Sequence, residues 1–366
     1  MRLAFDYQAF HMQSYGGVSR YFARLAQCLL DSDHEVGIFA PIHRNNYLGD
    51  LPQGVVHGRQ MRRYPPRVAR LLGAYNRLLA RHTMAQWEPS LVHETYYSSK
   101  PVLKSKPAVV TVFDMIHELF PADFPAHDGT SLHKRMAVER ADHVICISES
   151  TRKDLIRLFG VPEQKTSVVL LGFDPSMTFQ HEPAYRTPSG RPFILYVGQR
   201  GGYKNFGGLL TALGSSARLR NDFDIVAFGG GPFTQNESSL ITATGLSAER
   251  VFQIGGDDNF LNRLYGAAKV FVYPSLYEGF GIPPLEAMAH GCPVVCSNTS
   301  SLPEVVGNTA ELFDPDVDDA LRGAIETVAY SDDAWARLRL LGYERVRQFS
   351  WQKCAAETQQ IYKGLI

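Results

Sequence analysis

The segment Tyr273-Pro-Ser-Leu-Tyr-Glu-Gly-Phe-Gly-Ile-Pro-Pro-Leu-Glu-Ala-Met-Ala-His-Gly291 gathers residue types that can hold a polar, charged ligand. A strand ending at Tyr273 leads into a loop carrying Glu278, and Pro283-Pro284 can open a helix because proline is tolerated in the first helical turn. Gly279 and the backbone N–H groups of Phe280, Gly281 and Ile282 then stand at a helix N-terminus, where amides and dipole together suit an anion or a hydroxyl. Glu278 precedes the helix and Glu286 is expected in its first turn, so the two carboxylates are predicted to bracket one ligand rather than act as a close acid–base pair. Each also has a plainer reading: Glu286 complements the helix dipole, and Glu278 is a solvated loop residue.

A second constellation is Tyr196-Val-Gly-Gln-Arg-Gly-Gly-Tyr-Lys-Asn205. Arg200 and Lys204 lie four residues apart on a glycine-rich loop, with Gly198 before them and Asn205 after. Such a pair can close on a diphosphate and balance its charge; otherwise they are two solvated loop cations. Gly229-Gly-Gly231 and Gly255-Gly256, each after an apolar run, allow close backbone approach to a ligand, though each is also simply a tight turn. Near the N-terminus, Gly16-Gly17 follows the first apolar run and opens a helical pattern with Val18, Tyr21, Phe22 and Leu25, whose amides can meet a phosphate. It is not G-x-G-x-x-G, which argues against a dinucleotide site.

The elements that must carry these loops follow from alternation. Leu3–Phe5, 35–40, 108–112, 143–147 and 166–171 are short apolar runs between helical stretches, and the pattern restarts at 193–197, 224–228, 251–254, 270–273 and 293–296. Alternation of this kind predicts parallel strands with crossover helices. Two α/β domains are expected, 1–172 and 192–349, joined by a polar, proline-containing linker at 173–191, with ligands at the carboxyl ends of the strands where the winding reverses. Ser350 is placed to N-cap a final helix over 350–366. The 366 residues, 45% hydrophobic and 20% charged, suffice for two cores. Thirty-seven basic residues balance 37 acidic ones, so no global field draws the chain to nucleic acid. Cys28, Cys146, Cys292, Cys296 and Cys354 show no C-x-x-C spacing and read as thiols of a reducing compartment. No stretch nears the roughly 18 apolar residues that span a bilayer, so a soluble, cytoplasmic protein is expected.

The Glu278-to-Glu286 string resembles the E-x7-E motif of retaining glycosyltransferases with the GT-B architecture, in particular family four, which includes bacterial mannosyltransferases. The resemblance implies transfer of a sugar from a nucleoside diphosphate sugar to an acceptor hydroxyl with retention, the leaving phosphate helping to take the proton. By it, Arg200 and Lys204 grip the donor diphosphate, with Asn205 completing the Lys-Asn ending and Gly198 and Gly229 shaping the loops. Glu278 and the 280–282 amides position the sugar, Glu286 binds the ribose, Ile254 and Gly255 lie by the base, and Gly16 and Gly17 approach the phosphates. Thr111-Val-Phe-Asp-Met-Ile-His117 is similar to the family's Val-His-Asp stretch, with Phe113 in the histidine position, Asp114 in register and His117 as a partial substitute. No metal and no cofactor beyond the donor are implied. The start Phe5-Asp-Tyr-Gln-Ala-Phe10 with Gly16–Arg20 is most similar to O-antigen and exopolysaccharide mannosyl- or rhamnosyltransferases, which makes GDP-mannose the leading donor. UDP-sugar transfer, a sugar-nucleotide epimerase, an inactive binding relative and a dinucleotide oxidoreductase are the alternatives. In similar proteins the last helix crosses back to the first domain.

Arg59 to Arg81 holds seven arginines and no acidic residue. After Pro65-Pro66 a helix is expected to carry Arg63, Arg67, Arg70, Arg77 and Arg81 on one side and Val68, Leu71, Leu72, Tyr75, Leu78 and Leu79 on another. Segment 59–82 then either meets an anionic membrane, which suits a lipid-diphosphate-linked saccharide acceptor, or packs on its own domain with solvated arginines.

Overall fold

The computed structural model describes residues 1–32, 34–174 and 185–366, apart from the Arg70 side chain. Much of the expected linker at 173–191 thus lies outside the described residues. The chain divides into one unit of Met1–Leu119, Phe124–Gly172 and Ser350–Ile366, and a second of Phe120–Asp123 and Phe173–Phe349.

The first unit is built on β1 (Arg2–Phe5), β2 (Glu35–Ile38), the ribbon strands β3 (Ile42–His43) and β4 (Arg59–Gln60), then β5 (Leu91–Glu94), β6 (Ala108–Val112), β7 (His143–Cys146) and β8 (Thr166–Val168). Its main sheet has the order β2-β1-β5-β6-β7-β8, with every pairing parallel. All residues of β5 and β6 are buried, as a parallel sheet covered by helices on both faces requires. The winding reverses between β1 and β5. Phe5, Phe22, Leu25 and Ile145 anchor the core, and helix Trp351–Lys363 joins it through Trp351, Cys354 and Tyr362. Ser350 caps that helix, accepting from Lys353 N. Its far end is fixed by His93, whose Nδ1 is 2.5 Å from the Tyr362 hydroxyl and whose Nε2 is 2.9 Å from Thr111 Oγ1. Burial of the ring lowers the His93 pKa to about 3.

The second unit holds β9 (Phe193–Val197), β10 (Asp224–Phe228), β11 (Val251–Ile254), β12 (Val270–Tyr273), β13 (Val294–Ser297) and β14 (Glu311–Phe313) in the order β11-β10-β9-β12-β13-β14, again all parallel. Here the reversal falls between β9 and β12. The loops leaving these two strands are those carrying Lys204 and Glu278.

Strands β5 and β14 carry no sequence expectation. Leu91-Val-His-Glu94 is half polar yet wholly buried, because His93 and Glu94 find partners inside. The arginine-rich helix differs from expectation too. It spans Ala69–Trp87, so Arg63 and Arg67 precede it, and Arg67 stands at φ +65° outside the helix. The left-handed turn at Arg67 interrupts the chain after Pro65-Pro66, and the helix starts only beyond Val68.

Candidate active site

Three loops at the carboxyl edge of the second sheet are tied together. After β9, Gly202–Lys204 makes a short 3-10 turn and Asn205, in left-handed geometry at φ +54°, leads into helix Phe206–Ser215. Asn205 Nδ2 donates to the Pro274 carbonyl at 3.2 Å, and Leu276 N donates to Tyr203 O at 2.7 Å. The loop after β9 is thereby zipped to the loop after β12. Lys204 Nζ then meets Glu278 Oε1 at 2.6 Å, with side-chain exposures of only 17% and 10%. The rings of Tyr203 and Tyr273 flank the ammonium at 5.0 and 5.7 Å. Burial and the adjacent Glu278 carboxylate hold the Tyr273 hydroxyl well above its ordinary pKa, so it stays protonated and can donate.

The third loop follows β13. Ser300 Oγ accepts from Glu278 N at 2.9 Å, and the buried Ser301 hydroxyl lies 2.8 Å from Glu278 O and 2.7 Å from Phe280 O. In a trans peptide the carbonyl and the following N–H point opposite ways. Fixing the carbonyls of Glu278 and Phe280 toward Ser301 therefore turns the amides of Gly279 and Gly281 away from it. Gly281 stands at φ +118°, and a Cβ there would come within 2.8 Å of Leu302 Cδ2, so glycine is required. Helix Ile282–Ala289 starts at that point, with proline in its first turn and no side-chain cap. Sequence reasoning missed Ser300 and Ser301. Only the pairing of β12 with β13 brings them beside Glu278.

Glu286 falls in the second turn of this helix rather than the first, because the helix begins at Ile282. Its Oε2 accepts from the Tyr265 hydroxyl at 3.2 Å, and the Tyr265 ring stacks on His290 with centroids 5.8 Å apart.

Arg200, expected beside Lys204 on the donor diphosphate, makes its contacts here within the second unit. Its Nε donates to Glu237 at 2.6 Å, Nη1 to the Gly229 carbonyl at 2.8 Å, and Nη2 to the Gly231 and Pro232 carbonyls at 2.9 and 3.1 Å. Gly229, Gly230 and Gly231 all have positive φ, at 89°, 70° and 70°, and present their carbonyls to one buried guanidinium. Arg200 therefore shapes the glycine loop. Glu237 is held in place as the N3 residue of a capping box with Thr234. Gly198, at φ +129°, donates to Phe228 O at 3.0 Å, and Gly229 donates to Ile254 O at 2.9 Å. Open space lies where a Gly255 side chain would be, beside half-buried Ile254.

In the first unit, a Cβ on Gly16 would strike the Gln13 side chain at 2.4 Å, while Gly17 opens helix Gly17–Leu30 with free space beside it. Gln13 Oε1 accepts from Ser19 N at 3.0 Å, capping part of that helix end. Asp114 and His117 follow β6. Buried Lys134 donates to Asp114 O at 2.9 Å and to Glu118 Oε2 at 2.7 Å, fixing this segment. His117 stacks on Phe124 at 3.9 Å, and its buried Nδ1 lacks a hydrogen-bond partner. Phe113 packs edge-on against Tyr21 at 5.4 Å, an apolar use of the position where the resembled family carries histidine.

Two Rossmann-like all-parallel sheets, one with a cation–carboxylate pair at its switch point, have the architecture of the GT-B glycosyltransferases. The solved sucrose-phosphate synthase from Thermosynechococcus elongatus has the same fold, at a TM-score of 0.73 and 23% identity over 100% of this chain and 98% of that one. WaaG, a glycosyltransferase involved in lipopolysaccharide biosynthesis, matches at TM-score 0.71 and 15% identity over 100% of both chains. A model of glycosyltransferase family 4 matches residues 15–177, and one of glycosyl transferases group 1 matches residues 178–340. The chain is 34% identical over 260 residues to O-antigen chain mannosyltransferase B of Escherichia coli, covering 68% of this chain and 67% of that one. It is 32% identical over 241 residues to the MMP alpha-(1->4)-mannosyltransferase of Mycolicibacterium hassiacum, covering 64% and 57%. The chain belongs to the group 1, family 4 glycosyltransferases.

Proposed function

We propose that the protein transfers mannose from GDP-mannose to a hydroxyl of a glycan or lipid-linked oligosaccharide, with retention at the anomeric carbon and without a metal. The observation that carries this reading is the Lys204–Glu278 pair at the switch point of the second sheet, beside an uncapped helix N-terminus. Lys204 exchanges its carboxylate partner for the donor diphosphate and stabilises the charge that grows on the leaving group. Glu278, released, accepts from sugar hydroxyls, while the amides of the 279–282 turn hold the sugar and the helix dipole adds positive potential. Glu286 binds the ribose, and Ile254 and Gly255 meet the base. Arg200 supports the site through the glycine loop. Gly16, Gly17, Asp114 and His117 serve the acceptor side and the donor phosphates. A retaining front-face route needs no dedicated protein base, since the departing phosphate takes the acceptor proton. The mannosyltransferase names of the 34% and 32% identical relatives support the sugar. Five free thiols, four of them buried, support a cytoplasmic setting.

The test is transfer of labelled mannose from GDP-mannose to lipid-extracted acceptors in the presence of a chelator, with the product's anomeric configuration read by NMR. Chelator-resistant transfer giving an α-linked product is expected. Turnover of UDP-sugars without an acceptor would replace the reading with an epimerase, and transfer from UDP-sugars alone would overturn the donor.

A further inference from the structure

Glu286 is held from inside the second unit. Helix Asp258–Ala267 packs beside helix Ile282–Ala289 and brings up Tyr265, which is fully buried and donates its hydroxyl to Glu286 Oε2 at 3.2 Å. The ring has no room to turn: Phe271 meets it edge-on with centroids 5.3 Å apart, and His290 stacks on it at 5.8 Å. His290 is fixed in turn, because its Nδ1 lies 2.8 Å from the Glu286 carbonyl oxygen, which can only accept. Nδ1 therefore carries a proton, and burial lowers the pKa of the ring, which keeps it neutral. Burial and the Glu286 carboxylate hold the Tyr265 hydroxyl well above its ordinary pKa, so it stays a donor. Buried Tyr196 satisfies its own hydroxyl with a backbone carbonyl, that of Gln199. Tyr265 instead turns its hydroxyl to a carboxylate that is only half-buried.

We propose that Tyr265 is a positioning residue that makes the site selective for an intact ribose, by fixing the Glu286 carboxylate in the orientation that accepts from the two ribose hydroxyls of a nucleoside diphosphate. A free glutamate side chain is flexible, and ordering it when the ligand arrives weakens binding. A donor on a rigid, fully packed ring orders the carboxylate beforehand. Each carboxylate oxygen accepts more than one hydrogen bond, so Oε2 holds the tyrosine hydroxyl and keeps capacity for a ribose hydroxyl. The inference rests on the reading of Glu286 as the ribose ligand and adds to it the group that aims it.

It is tested by calorimetric titration of the full chain with GDP, UDP and the dideoxyribose form of each, which lacks both ribose hydroxyls. The readout is the ratio of affinities for a nucleotide and its dideoxy form, taken for whichever base binds. The wild type is expected to favour the intact ribose about thirtyfold, the worth of hydrogen bonds to a charged group. Glu286→Ala should bring that ratio to about one. Tyr265→Phe, which keeps the ring and its packing, should lower the ratio about tenfold while leaving affinity for the dideoxy form and the circular dichroism spectrum as in the wild type. A tyrosine with a merely structural role would shift Tm and leave the ratio unmoved. A wild-type ratio in Tyr265→Phe, alongside a lost ratio in Glu286→Ala, would overturn the positioning role and spare the ribose reading. A wild-type ratio in Glu286→Ala, or a wild type that ignores the ribose hydroxyls or binds none of the four ligands, would overturn the ribose reading and this proposal with it.

Discussion

Lys204 and Arg200 sit four residues apart on one loop and make different contacts, and substitution tests whether their roles differ too. Lys204→Ala or Glu278→Ala should lower turnover about a hundredfold or more, the cost of losing a preorganised charge contact, with circular dichroism unchanged; wild-type turnover in either would remove that residue from the mechanism. Arg200→Ala should instead cost about 3–5 kcal/mol of stability, because it leaves Glu237 and the glycine-loop carbonyls without their partner. Denaturant unfolding measures this, and an unchanged midpoint would contradict the clamp role. Ser301→Ala should lower turnover about tenfold while leaving GDP binding near normal, since it frees the turn that aims the sugar-binding amides rather than the phosphate contact. The sequence made Glu278 and Lys204 legible because their loops carry distinctive neighbours. It could not divide the two cations, since Glu237 lies far along the chain, although Thr234-x-x-Glu237 was readable as a capping box. Ser301 was not legible, because only the neighbouring of parallel strands sets its loop beside Glu278.

At the scale of elements, the strand–helix alternation was readable wherever strands were runs of Val, Ile, Leu and Phe, as in β6, β9 and β10. It was not for β5, whose His93 and Glu94 look like loop residues until Thr111, Tyr362 and Arg140 are brought to them. His93 now has a role: it locks helix Trp351–Lys363 to the sheet as a neutral ring. Its folded-state pKa, about 3, lies below the ordinary 6.5, so the unfolded chain binds the extra proton. The stability it contributes is full above about pH 6.5 and is lost as pH falls toward 3. His93→Gln should flatten the decline of Tm across that window, and an unaltered slope would show that another group governs it. Gly281 bounds the other critical element. Gly281→Ala, at φ +118° and against Leu302, should disturb the start of helix Ile282–Ala289 and reduce donor affinity more than Tm.

At the scale of the whole molecule, each unit is built on a parallel sheet that reverses its winding, and in the second unit the loops at that reversal hold the Lys204–Glu278 pair. The proposed function has that pair exchange a carboxylate for a diphosphate. The most direct test of this account is a metal-free calorimetric titration of wild type and Lys204→Ala with GDP, GDP-mannose, UDP and UDP-glucose. The account predicts that the wild type binds GDP and GDP-mannose in preference to the uridine ligands, and that Lys204→Ala binds both at least tenfold more weakly. Equal affinity in Lys204→Ala and wild type, or no nucleotide binding by the wild type, would contradict it.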